Sequence, residues 1–254
     1  DNGIGVTNEL NFTASGEMDN GYTWSYSMEL DPNTTGSGQA NNDDSQLSLT
    51  MGELGTIKAC VSECGNNKKY AWDASAYTTI TDTSRSSGTV YPANLMSSNN
   101  IQYHTPTLPF DTVITAGFGQ VGVTGNSGNA TGGDSGDSME AYSLVTKPVD
   151  GLTLSASYYD KNDYDDGLTN ETQLEEGGAY AAKYSMGNIT VGYGKSYKSP
   201  ESTTSIATGT VVEYYENTGV SIGFAVNDEL SISYTTEESS AKQRTGTNTI
   251  YDIE

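Results

Sequence analysis

Two cysteines and a single histidine are the side chains of this sequence with the most distinctive chemistry. Cys60 and Cys64 are its only cysteines. On one straight strand their Cα atoms would lie roughly 13 Å apart, whereas a disulfide needs a separation below about 7 Å. A bond between them therefore requires the chain to turn at positions 61–63. A disulfide across such a turn and a pair of free thiols are the two alternatives.

The histidine and the acidic segments predict neither catalysis nor a firmly bound metal. His104 is the only histidine, so it can complete neither a catalytic triad nor a metal cage. Nucleophile elbows, phosphate loops and metal motifs are absent from the sequence. Carboxylates at positions 160–171 resemble a calcium loop, but with Gly167 as its glycine Tyr164 would fill a ligand position and Gln173 the final one. We expect no enzyme and no cofactor, with loose surface binding of Ca²⁺ or Mg²⁺ as the alternative.

The elements that position these residues show the alternation of β-strands. Between positions 4 and 30 the even positions are mostly apolar and the odd ones mostly polar, interrupted by the turn Asp19-Asn20-Gly21. Because successive side chains of a strand point to opposite faces, each strand has one apolar face and one polar face. Asn-Gly is the strongest short hairpin signal. The stretch is therefore predicted to form a hairpin, and a second one follows across a turn at 52–55.

Six hairpins are predicted in total, joined to one another by longer, polar connections. Their strands are 4–16, 22–31, 45–51, 55–61, 100–107, 111–119, 139–147, 151–160, 177–186, 188–197, 217–226 and 229–238. The segment 139–147 has the poorest alternation, and no strand is predicted after 238. Short turns alternating with long loops are typical of a transmembrane β-barrel.

Composition indicates the same fold class. Only 34% of the 254 residues are hydrophobic and the net charge is −22. No apolar run approaches the roughly 20 residues of a membrane helix. A transmembrane barrel needs few apolar residues, because one strand face meets lipid while the other meets water. We predict an all-β, antiparallel transmembrane barrel, a single domain over 1–254, whose acidity disfavours nucleic acid and attracts cations.

The connection 62–99 is the longest and has an unusual composition for a loop. Its large apolar residues are Tyr70, Trp72, Tyr77, Ile80, Val90, Tyr91 and Leu95. Structureless loops beyond about 12–15 residues are usually functional. A segment with so many apolar groups is expected to pack against another surface, and the barrel's own wall is the nearest.

Four stretches of the sequence carry a resemblance to a known family. They are GEMDNGYTWSYSMEL, LSLTMGELGTIK, NNIQYHTPTLPFDTVITAGFG and KPVDGLTLSASYYDK. The chain resembles the general diffusion porins of Gram-negative outer membranes, a trimeric 16-stranded family, especially forms from marine alphaproteobacteria. The resemblance covers nearly the whole chain as a pattern, without a diagnostic residue motif.

The resemblance implies an outer-membrane channel whose third external loop folds into the lumen and narrows it. In the family that loop follows the fifth strand, whereas 62–99 follows the fourth predicted strand here. The resemblance therefore implies one strand before Asp1 and about three beyond Glu254, with about 12 of 16 strands in this chain. It also implies a homotrimer, contact with outer-membrane lipid and lipopolysaccharide, and passage of small hydrophilic solutes.

If 62–99 forms the constriction, Asp73 and Asp82 are its expected carboxylates, with Arg85 beside them. Carboxylate clusters select cations in pores. The arginine cluster that such porins place on the facing wall has no counterpart on the first and third predicted strands. We therefore expect a passive channel that prefers cations. The expected pore-lining residues on the polar strand faces are Glu9, Lys58, His104, Lys183 and Lys195.

The location implied by the resemblance affects the expected oxidation state of the cysteines, and two other functions remain as alternatives. An oxidising cell surface favours a disulfide between Cys60 and Cys64. One functional alternative is a substrate-specific outer-membrane channel. The other is an acidic surface-layer or adhesin protein, in which the apolar strand faces would be buried in a sandwich.

Overall fold

A single antiparallel sheet of 13 strands makes up nearly all of the described part of the chain. The computed structural model of the chain describes residues 10–32, 40–61, 64, 100–120, 138–162, 173–202, 210–245 and 249–253. Every strand pairs with its neighbours in sequence, from β1 at one edge to β13 at the other. The strands are β1 (Leu10–Glu17), β2 (Thr23–Pro32), β3 (Ala40–Thr50), β4 (Thr56–Cys60), β5 (Asn100–His104), β6 (Val113–Gln120), β7 (Ser138–Thr146), β8 (Leu152–Asn162), β9 (Glu176–Met186), β10 (Ile189–Ser199), β11 (Thr210–Ala225), β12 (Ser231–Thr245) and β13 (Thr249–Ile253).

All 12 predicted strands are present, although positions 4–9 of the first predicted strand lie outside the described residues, and the all-β antiparallel fold is confirmed. The segment with the poorest alternation forms β7. The predicted bounds were wrong for several strands. β3 begins at Ala40 rather than at 45, β5 ends at His104 rather than at 107, and β11 begins at Thr210 rather than at 217. A bulge between Val212 and Tyr214 shifts the register there, so the period-two pattern is interrupted in the sequence.

The thirteenth strand was not predicted at all. β13 is five residues long and pairs with the last residues of β12, from Ala241 to Thr245. That part of β12 lies beyond the predicted end at 238, and its residues lack the apolar alternation of the earlier part. Neither the polar end of β12 nor the short β13 shows the alternation that predicts a strand, so their pairing could not be predicted from the sequence.

The short turns, which lie at one end of the strands, hold each hairpin close to the neighbouring one. Gly55 has a φ of +83°, and a Cβ atom at this position would lie 2.3 Å from the carbonyl oxygen of His104. Gly151 has a φ of +77°, and its Cβ would lie 2.2 Å from the carbonyl oxygen of Ser185. Only glycine combines a positive φ with so close an approach of the next strand.

From β4 to β12 the two faces of the sheet have the opposite burial to that of a water-soluble protein, whereas on β1 nearly all side chains of both faces are exposed. On β5, Gln102 is 1% exposed while its apolar neighbour Ile101 is 61% exposed. Across β10, β11 and β12, Ile189, Phe224 and Ile232 pair in one row and are all exposed. The polar side chains thus lie on the enclosed face, and the apolar side chains lie on the outer face.

No helix in the described part of the chain has the length and apolar character needed to cross a membrane.

Candidate functional site

The enclosed polar face of the sheet is the candidate functional site. From β7 to β11 it carries small and hydroxyl-bearing side chains that are buried against one another. The side chains with the least exposure among them are Ala141, Ser143, Ala179, Ala181, Ser196 and Ser221. Asn217 joins three strands, because its amide donates to Ser196 at 3.0 Å and its carbonyl accepts from Ser239 at 2.7 Å. Such bonds satisfy polar groups that would otherwise be costly to bury.

Charged groups on this face are few and balanced in sign. Among the described side chains, its cations and carboxylates are Lys58, Lys161, Lys183 and Lys198, and Glu17, Glu29, Glu175 and Glu237. The whole chain carries 33 acidic and 11 basic residues. Most of the acidic excess therefore lies outside the described part of this face.

Three of these charges form one network near the long-connection end of β8, β9 and β10. Glu175 lies 2.5 Å from the ammonium of Lys161 and 3.1 Å from that of Lys198, and it accepts a hydrogen bond from Tyr159 at 3.0 Å. Burial raises the pKa of Glu175, but hydrogen bonds and positive charge from the two lysines outweigh it, so the pKa is lowered. The carboxylate is therefore held ionised, and the network keeps one excess positive charge.

His104 is bonded through both ring nitrogens on the same face. Its Nε2 lies 2.9 Å from Oε1 of Gln102, and its Nδ1 lies 3.2 Å from the hydroxyl of Thr115. These bonds fix the ring against β5 and β6. Within the described residues no group of three or more histidine, cysteine, aspartate or glutamate side chains is placed to hold a metal ion.

The structure does not place all the predicted pore-lining residues on the same face of the sheet. Lys58, His104 and Lys183 lie on the polar face, as their register shows. The prediction for Lys195 was wrong, because it shares the apolar face with Val191 and Tyr193. Its charge is balanced there by Glu216 at 2.9 Å. The other predicted residues, Glu9, Asp73, Asp82 and Arg85, and the segment 62–99 except Cys64, lie outside the described residues.

Cys60 and Cys64 form a disulfide at the point where β4 ends. Their Cα atoms are 5.6 Å apart, which is within the range of a disulfide and requires the predicted turn. The backbone N–H of Val61 also donates to the carbonyl of Ser45 at 2.9 Å. The chain is thus fixed where it leaves the sheet to enter the longest connection.

Sequence reasoning missed the network around Glu175. Lys161 and Lys198 lie one residue beyond the predicted ends of β8 and β10, and Glu175 precedes the predicted start of β9. Extending the alternation by one or two residues would have placed the two lysines on the polar face. Their convergence on one carboxylate depends on the register between three strands, which the sequence does not display.

An antiparallel sheet with an exposed apolar face and an enclosed polar face is the wall of a channel-forming transmembrane β-barrel. The exposed apolar faces also exclude a sandwich, in which they would be buried. A family model described as Gram-negative porin matches residues 1–253. The chain therefore belongs to the Gram-negative porin family, a family of outer-membrane channel proteins.

Solved structures support the same fold at low sequence identity. A porin structure refined at 1.8 Å resolution is 15% identical, with a TM-score of 0.57 over 92% of this chain and 79% of that one. OmpF of Salmonella typhi, solved in complex with daunomycin, is 12% identical, with a TM-score of 0.60 over 92% and 77% of the two chains. A comparison with curated protein sequences finds no match.

Proposed function

We propose that the protein forms a water-filled channel through which small hydrophilic solutes and ions diffuse passively, with a preference for cations. The reversed burial of the two sheet faces is the observation that supports this proposal. An exposed apolar face is stable only in contact with lipid or another apolar surface. The opposite face, with its hydroxyl, amide and small side chains, is suited to contact with water.

The polar face supports general diffusion rather than recognition of one solute. Its most buried groups are small or bonded to one another, as the bonds between Ser196, Asn217 and Ser239 illustrate. A specific site needs several polar groups that converge on one position. The described wall offers one such cluster, around Glu175, and there the charged groups already bind each other.

The overall acidity of the chain supports the proposed preference for cations. The described wall is balanced in charge, so it gives no strong preference by itself. The chain as a whole has a net charge of −22. Because charges are costly on a lipid-facing surface, the acidic excess belongs in the connections and at the rims. We propose that Asp73 and Asp82 in the connection 62–99 contribute it at the constriction, where low-dielectric walls focus their field.

The assembly is proposed as a homotrimer in outer-membrane lipid and lipopolysaccharide. The resemblance to trimeric porins supports this assembly. Chemical crosslinking in native membranes is expected to produce dimers and trimers. Monomers alone would contradict the trimer without affecting the channel.

Reversal potentials in planar bilayers test the proposed function. Under a KCl gradient we expect open channels and a potential of the sign for K⁺ permeation, weakening as salt screens the charges. A potential of the chloride sign would contradict the cation preference, and failure to conduct would contradict the channel. Replacing Asp73→Asn with Asp82→Asn should reduce the preference, whereas Asp228→Asn in a short turn of the opposite rim serves as the matched control.

A further inference from the structure

A groove lies on the outer face of the sheet, where β8 to β12 approach the long-connection end. Its cavity volume is about 580 Å³. Tyr158, Tyr197 and Tyr214 line it together with Glu176, Glu213 and Arg244. The rings of Tyr197 and Tyr214 are 6.1 Å apart and tilted by 58°. The groove is therefore an aromatic site with charged groups at its edge, and it is separate from the channel wall.

Gly178 creates the open floor of this groove. It pairs with Tyr158 on one side and with Tyr197 on the other, so a residue without a side chain lies between two tyrosines. A Cβ at this position would lie 2.7 Å from the carbonyl oxygen of Ser157, which leaves no room for a side chain. The close pairing of β8 and β9 thus keeps a gap between the two rings.

The charged groups of the groove are mostly carboxylates and include an unsatisfied oxygen. Arg244 forms an ion pair with Oε1 of Glu213. The second carboxylate oxygen of Glu213, Oε2, is buried without a hydrogen-bond partner in the described part of the chain. Glu176 accepts a hydrogen bond from the phenol of Tyr158 at 3.1 Å. The exposed carboxylate of Glu176 is therefore the acceptor that a ligand in the groove can reach, so a ligand that donates hydrogen bonds fits this arrangement and a phosphate does not.

The height of the groove on the outer face indicates where such a ligand would come from. Below it, β10 presents Ile189, Val191 and Tyr193, which are apolar or amphipathic and exposed. The ion pair of Lys195 with Glu216 lies at the next level and marks the upper edge of this apolar band. The groove therefore lies just beyond the edge of the exposed apolar band, where we expect the lipid headgroups of a bilayer.

We propose that the groove binds a neutral sugar headgroup of a glycolipid in the outer leaflet. Tyrosine rings present flat apolar surfaces to the C–H face of a sugar, while their hydroxyls stay in contact with water. Sugar hydroxyls donate to the exposed carboxylate of Glu176 and accept from Arg244. The proposal rests on the proposed function only in requiring that the outer face contact lipid.

A phosphate bridged by a divalent cation is the competing occupant, and the structure disfavours it. Glu176 and Glu213 outnumber Arg244 in the groove, so an unbridged phosphate would be repelled. A bridging cation needs several ligands that converge on one point, and the described residues contain no such group of three. The carboxylates are instead positioned beside aromatic rings, as in a site for hydroxyl groups.

Lipid binding to the purified full chain tests the proposal. Native mass spectrometry in a zwitterionic detergent would measure binding of a monoglucosyl diacylglycerol, with phosphatidylglycerol as the phosphate-bearing comparison. We expect the glucolipid to bind more tightly, and Tyr197→Ala to weaken its binding about three- to tenfold. Tyr197→Phe keeps the ring and should bind within about twofold of wild type. Tyr184→Ala, on the same face but outside the groove, is the matched control.

Several outcomes would overturn the proposal. These are equal losses in Tyr197→Ala and Tyr184→Ala, tighter binding of phosphatidylglycerol, or loss of glucolipid binding on adding EDTA. Conductance of each variant in planar bilayers, measured in parallel, separates this site from the channel. Wild-type protein that conducts but binds no glucolipid would refute the groove proposal alone, whereas failure to conduct would refute the proposed function.

Discussion

Removing the carboxylate of Glu175 is the change whose effect the structure specifies most fully. In Glu175→Gln the two lysine ammonium groups, 2.5 and 3.1 Å from the carboxylate in the wild type, lose their counter-charge. The side chain of Glu175 is only 10% exposed, while each lysine is 20% exposed. Hydrogen bonds to charged groups contribute about 1.5–3 kcal/mol each, and truncating one partner of a buried pair costs about 3–5 kcal/mol. Because the lysines retain some access to water, we expect a loss of about 2–3 kcal/mol.

Urea-induced unfolding in detergent micelles would measure this loss, with Glu229→Gln in an exposed turn as the matched control. The double variant Glu175→Gln with Lys198→Met removes one of the two uncompensated lysine charges and should recover part of the stability. A loss below about 0.5 kcal/mol, equal to that of Glu229→Gln, would refute the reasoning. It would mean that water already screens the network and that the three charges do not support one another.

The same network predicts a pH dependence. The pKa of Glu175 is lowered in the folded protein, so its contribution is complete above the ordinary glutamate pKa of 4.5. It is lost as the pH falls through the folded-state value, which lies below 4.5. Wild-type protein should therefore lose more stability than Glu175→Gln between neutral pH and the acid end of this window. Equal losses in both proteins would assign the acid sensitivity to other carboxylates.

Three further changes test other parts of the fold. Gly55→Ala should cost about 2–4 kcal/mol, because a Cβ there would lie 2.3 Å from a carbonyl oxygen, whereas Gly21→Ala meets open space and should cost about 1 kcal/mol in urea unfolding. Ile222→Lys puts a charge on the exposed apolar face and should cost about 2–4 kcal/mol on transfer into vesicles, and unimpaired insertion would contradict a lipid-facing position. Cys60→Ser with Cys64→Ser should lower the free energy of unfolding by about 2 kcal/mol, since the disulfide closes a short loop, and equal stability in reducing and oxidising buffer would contradict this.

The sequence predicted the strands well, because each strand shows its two faces directly in a period of two. The same rule failed where a bulge shifts the period, as between Val212 and Tyr214 in β11. It failed for β13 because five residues are too few to show a pattern. Strand existence is thus a local property, but strand ends depend on pairing partners that the local pattern does not reveal.

The sites were harder to predict, because side-chain type is a weaker guide than register. Lys195 was predicted to lie on the polar face, yet its spacing of two residues from Tyr193 places it on the apolar face. The convergence of Lys161 and Lys198 on Glu175 depends on the alignment of three strands. The groove between Tyr158 and Tyr197 depends on Gly178 lying between them in the same row, which only pairing reveals.

Water accessibility at two adjacent positions of β12 tests the central claim most directly. Ser233 lies on the polar face and Ile232 on the apolar face, where it is 62% exposed. Each is replaced by cysteine with the Cys60–Cys64 disulfide intact, and a charged, water-soluble methanethiosulfonate reagent is added to open channels in a planar bilayer. We expect the reagent to reduce the conductance of Ser233→Cys and to leave that of Ile232→Cys unchanged. Block at Ile232→Cys with no effect at Ser233→Cys would show that the faces are assigned the wrong way round.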